Sequence, residues 1–188
     1  MPLLPFSNCD VVPPEHGCGF LYEAAEALLA AGLVGLEPFI PDGECDSFDA
    51  YVSMNAPNAE FYDALSIHLV SWGPTPEAQR RNDSMAGCVP LFPTHVATWD
   101  MRLWENQYPA AQQIGDEIRV PPPDQLGAVN EHLYAHGIAL HNALMAANVN
   151  GTLGLPYQFT KTAIGDLTPL GPQGLAAGWR ITIVTRTD

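Results

Sequence analysis

The last twenty-one residues, TPLGPQGLAAGWRITIVTRTD (168–188), constrain this chain most. Pro169, Gly171, Pro172, Gly174 and Gly178 predict tight turns, because proline presets φ and glycine tolerates positive φ. Ile181 and Ile183 then alternate with Thr182, the period of a strand. The segment holds no nucleophile, phosphate loop or metal cage. It reads as the closing strand of a small α+β domain.

The rest of the chain fits that reading. Residues 1–19, with Pro2, Pro5, Pro13 and Pro14, predict an extended arm. A first helix is expected over 20–33, with Leu21, Ala24, Ala25, Leu28 and Leu29 as its apolar stripe. Gly32 and Gly35 should weaken its end, and Pro38 should stop it. Strands are expected over 48–54, 61–72 and 95–104, with a turn at 55–58. In the third, Ala97, Trp99, Met101 and Leu103 face one way and Thr98, Asp100 and Arg102 the other. A long loop at 73–93 carries Arg80 and Arg81, and another spans 107–123. The second helix covers 124–148, with Asp124 as N-cap and Leu126, Val129, Leu133, Leu140 and Leu144 at helical spacing. Asn150 and Gly151 end it. A strand at 159–164, a turn segment at 165–178 and a strand at 179–185 close the chain. The expected fold is a single α+β domain over 20–188: a mostly antiparallel sheet of about five strands, two helices on one face, and long Pro-rich loops.

Charge limits the functional classes. The formal net charge is −14, and no Lys or Arg precedes Arg80 while 12 of the 21 acidic residues do. Such a chain lacks the cations that displace counterions from nucleic acid. An acidic surface can still line a channel through which DNA slides. Two arginines in one loop, on so acidic a chain, predict contact with a neighbour's acidic face. The start shows no targeting signal. The stretch 20–36 is apolar, but Glu23 and Glu26 interrupt it and it is shorter than the ~20 residues of a membrane span. A packed amphipathic helix is expected there. Cys9, Cys18, Cys45 and Cys88 form no CxxC, and thiols are the default, with Cys45–Cys88 a possible pair across strands.

Chemical motifs are sparse. His132 and His136 sit four apart on the second helix and share a face. Their HLYAH lacks the glutamate of HExxH, so a polar face or interface is expected and a metal is not. His141 should point elsewhere, and His68 and His95 should lie on adjacent strands, each hydrogen-bonded at a strand edge. The acidic pairs Asp116–Glu117 and Asp46–Asp49 fall in loops. No GxSxG, GxxxxGK[ST] or GxGxxG occurs. Trp72, Trp99, Trp104 and Trp179 read as core and interface anchors. No catalytic residue and no cofactor is expected.

Three features together resemble the tail terminators of long-tailed actinobacteriophages, part of the head-to-tail connector set. They are the ending GDLTPLGPQGLAAGW followed by RITIVTRTD (165–188), cysteines ahead of the strands that start near Phe48 and His95, and the long helix 124–148. Two departures stand out: Leu175–Ala177 replaces a cysteine frequent in that turn, and Tyr108–Pro109 follows a longer strand than relatives carry. The resemblance implies a virion neck protein assembled in the host cytoplasm: a ring, usually of six subunits, that caps the tail tube and ends its polymerisation. Its partners would be the major tail tube protein and a head-side connector or stopper, with DNA passing through the lumen unbound and no membrane involved. Arg80, Arg81, Trp104 and Arg119 are the candidate interface residues. A head-closure stopper is the alternative, and a small metal-dependent hydrolase using His132 and His136 the remote one.

Overall fold

A computed structural model describes residues 19–40, 48–53, 63–75, 94–106, 108–109, 112–114, 117–173 and 175–187. The expected arm (before Gly19), the cysteines, Asp46, Asp116, the 55–58 turn and most of the first long loop lie outside the described residues. The elements run α1 (Gly19–Leu36), a 3-10 turn (Glu37–Phe39), β1 (Phe48–Ser53), β2 (Asp63–Pro74) and β3 (His95–Glu105). There follow β4 (Gln112–Ile114), β5 (Glu117–Arg119), α2 (Pro123–Asn150), β6 (Lys161–Gln173) and β7 (Ala176–Arg186). Five strands form one sheet in the order β1-β2-β3-β7-β6. β1 and β2 are parallel and every other pair in that sheet is antiparallel. The α+β architecture is the one expected. β4 and β5 make a small separate hairpin inside a segment expected to be loop, which also places Glu117 in a strand.

Strand alternation sorts the side chains. Leu65, Ile67, Ala97, Trp99, Met101, Leu103, Ile181 and Ile183 are buried on the face that meets the helices. Leu28 of α1 and Leu140 and Leu144 of α2 fill the space above them and are fully buried. Each such side chain contributes about 1.5–3 kcal/mol by leaving water. Trp99 Nε1 donates to Thr185 Oγ1 (2.9 Å), so the indole is satisfied inside the core.

Three expectations need correction. First, 165–178 is not a free bend. Lys161–Gln173 is one strand containing Pro169, Gly171 and Pro172, with register shifts between Ile164 and Leu167 and between Leu170 and Gln173. β6 is an edge strand, so a proline need not supply a ladder donor on its outer side. Turn residues therefore survive in a strand, and the real turn tightens to the few residues between β6 and β7.

Second, Gly32 and Gly35 do not end α1, which runs on to Leu36. They sit where α1 crosses α2. A Cβ on Gly35 would lie 2.5 Å from the Ala139 carbonyl oxygen and 2.8 Å from Ala143 Cβ. Glycine there sets the distance between helices. With its 3-10 turn the segment Gly19–Phe39 reaches 21 residues, long and apolar enough by length and composition to cross a membrane. Its Ala24, Ala25, Leu28, Leu29, Gly32 and Leu36 are nonetheless buried within the fold, as a core helix requires.

Third, Asp124 does not cap α2. Pro122 holds the N-cap position without a side-chain hydrogen bond, and proline stands in the first turn. A proline there loses no helical hydrogen bond. Asp124 lies in that first turn, where its charge suits the positive end of the helix. The C-terminus is as expected: Gly151 takes φ 67° and its N–H returns to the Ala147 and Asn148 carbonyls.

Candidate histidine–carboxylate cluster and assembly surface

Glu105 is the last residue of β3, and α2 passes over it. The i, i+4 spacing of His132 and His136 puts both rings on the side of α2 that meets this strand end. His136 Nδ1 and Glu105 Oε1 are 2.8 Å apart. An ionised carboxylate only accepts, so the bond places the imidazole proton on Nδ1. His136 is 9% exposed, and its Nε2 is buried with no hydrogen-bond partner among the described residues. The His132 and His136 rings meet edge-on with centroids 4.2 Å apart, and Phe39, from the turn after α1, covers His136 at 4.4 Å. One ligand-capable atom from each of Glu105, His132 and His136 lies within 4.8 Å of the others. A cleft of about 260 Å³, lined by Glu105, Tyr108, Ala128, Val129, His132 and Leu133, opens beside them.

Asp63 is a second carboxylate next to this group. Burial pushes its pKa up and the Glu105 charge adds to the rise, against the hydrogen bond from Asn106 N (2.7 Å) and the attraction of His136 and His132. The histidine pair was legible in the sequence. Its acidic partner was not: Glu105 is 31 residues from His136, on another element, and no local pattern links them.

The sheet face away from the helices carries a different network. Asp100 is 1% exposed. It accepts from Arg180 Nε (2.8 Å) and from Arg102 NH2 (2.9 Å) and Nε (3.2 Å), and His68 Nε2 stands 3.7 Å away. The register explains this: Asp100 pairs with His68 on β2, and Arg102 with Arg180 on β7. Burial lowers the His68 pKa and both arginines add to the fall, while Asp100 opposes it. His68 and His95 do lie on adjacent strands, but in unlike settings. His95 stacks on Trp72 with centroids 5.0 Å apart. His141 does point away from the histidine pair; its Nε2 bonds the Gly165 carbonyl (3.0 Å) on β6.

Of the expected interface residues, Trp104 is 2% exposed within the single chain and so is not offered at its surface. Its register neighbours, Ala64 on β2 and Gly178 on β7, are small and leave the indole room on the sheet. Arg80 and Arg81 lie outside the described residues. Arg119 ends β5, and its side chain lies outside what is described. The other tryptophans serve the interior: Trp179 Nε1 donates to the Leu133 carbonyl (2.7 Å), and Gly137 leaves space for that ring.

A surface that sequence reading passed over is the apolar stripe Tyr134, Ile138, Met145 and Val149 on α2. These residues are 57%, 50%, 38% and 79% exposed. Their spacing keeps them within a narrow arc of the helix. His141, bonded to β6, shows that this flank overlooks the sheet's edge strand. The signal was present as apolar residues off the core stripe, but α2 periodicity alone does not say which stripe is covered.

No protein-family model matches the sequence, and no curated protein matches it significantly.

Proposed function

We propose that the chain is a structural protein of a phage neck, a tail terminator that closes into a ring on the end of the tail tube. The observation that carries this reading is the pairing of a sheet edge with an uncovered apolar helix flank. The edge strand β6 is built from the segment on which the resemblance rests, and the stripe Tyr134–Ile138–Met145–Val149 runs above it. A ring needs a heterologous interface, one patch meeting a different patch on the next copy. Pro169 and Pro172 suit such an edge, because they hinder open-ended strand addition while leaving side-chain contact free.

In the main sheet the order, helix, three strands, helix, two strands, with the β4–β5 hairpin inserted before the second helix, supports the terminator over a stopper. Stoppers are mainly small β-barrels, whereas this sheet is open and one face is covered by helices. The charge of −14 suits a lumen through which DNA passes without sticking. The tube protein and a head-side connector would be the axial partners, and the role requires no catalysis.

The test is the native mass of the purified protein, alone and mixed with the tail tube protein of the same phage. The expected result is a ring of about six subunits, present alone or formed on mixing, with tubes that stop growing once capped. A chain that stays monomeric and leaves tube growth unchanged overturns the reading.

A further inference from the structure

We propose that Glu105, His132 and His136 bind one divalent transition-metal ion of the zinc class, pinning the start of α2 to the end of β3. Two imidazoles and one carboxylate form a common three-ligand zinc set, with metal–ligand distances of about 2.0–2.2 Å. The three ligand atoms already lie within 4.8 Å of one another, with His136 and Glu105 at 2.8 Å, so small side-chain rotations would gather them.

An ion shared by Glu105 and His136 would take the place of the proton between His136 Nδ1 and Glu105 Oε1, since a ligating imidazole nitrogen must be deprotonated. Asp63 adds a second carboxylate within electrostatic reach of both histidines, so a dication would be well compensated. The adjacent cleft leaves a fourth position open to water or a small ligand.

The placement defines the role. Residues 123–132 of α2 hold no fully buried side chain; burial begins at Leu133. The metal would fasten this outer part of the helix to the sheet, independently of whether the chain forms a ring.

The experiment loads the full-length protein with Zn2+ and, separately, Co2+, after removal of metals by chelation. Expected are one ion per chain, a higher unfolding temperature with Zn2+, and a Co2+ spectrum of tetrahedral type without thiolate charge-transfer bands. His132 is exposed, so His132→Ala should fold as the parent does. That variant should lose affinity by roughly a hundred-fold or more, since even outer-sphere changes cost ~10–100-fold. Glu105→Gln should also weaken binding. No bound metal, unchanged affinity in His132→Ala, or a thiolate spectrum that assigns the ion to cysteines would each overturn the proposal. A failure to form rings would bear on the neck assignment only, because the metal readouts use the single chain.

Discussion

Asp100 shows how one buried acid organises a sheet face. Two arginines converge on it from β3 and β7, and it is almost fully enclosed. Removing a buried partner leaves the others uncompensated, typically at a cost of about 3–5 kcal/mol. Arg180 keeps access to water, with a side chain 42% exposed, which reduces the penalty. Asp100→Ala is therefore expected to cost about 2–4 kcal/mol in urea unfolding; a loss under about 0.5 kcal/mol would mean that the arginines resolvate freely. His68 beside it gives a pH signature. Its folded pKa lies below the ordinary 6.5, so the unfolded chain takes up this proton more readily. Stability from this residue is complete above pH 6.5 and falls as pH drops toward the lowered folded value. His68→Gln should flatten the acid limb of a stability-against-pH curve, and an unaltered limb would assign that loss to other groups.

At the scale of elements, two glycines of similar appearance have opposite meanings. A Cβ at Gly35 meets backbone and a neighbouring Cβ of α2, neither of which can swing aside. Among the described residues, nothing lies within 4 Å of a would-be Cβ on Gly127 of α2. Gly35→Ala should destabilise by about 1–3 kcal/mol, the usual range for overpacking. Gly127→Ala should stabilise by about 0.5–1 kcal/mol through helix propensity alone. Parallel urea titrations compare the two, and a stabilised Gly35→Ala would show that the α1–α2 crossing is loose. The same scale explains the C-terminal segment. Proline and glycine at 169–172 carry a local turn preference, yet an edge position in the sheet lets the backbone stay extended. A local rule gave way because the edge location, a property of the whole sheet, removed the reason for it.

For the whole molecule, the α2 stripe gives the sharpest test of assembly. Ile138→Glu with Val149→Glu places charge on side chains already 50% and 79% exposed. The monomer should keep its unfolding temperature within about 2 °C, as surface changes usually do, while the proposed ring should be lost in sedimentation. A ring that persists in this variant would move the proposed interface elsewhere, for instance to the segment holding Arg80 and Arg81. Taken by itself, the sequence determined what short-range periodicity can carry. It set the strand faces of β2 and β3, the existence of both helices, the end of α2 at Gly151, the acidic balance and the α+β class. Tertiary structure alone decided the rest: the parallel pairing of β1 with β2, the two glycines as a helix crossing, Asp100 as the hub of one sheet face, and Glu105 as partner of His136. These depend on contacts between residues far apart in the chain, and such contacts are fixed by how helices and strands pack, a choice that no local spacing encodes.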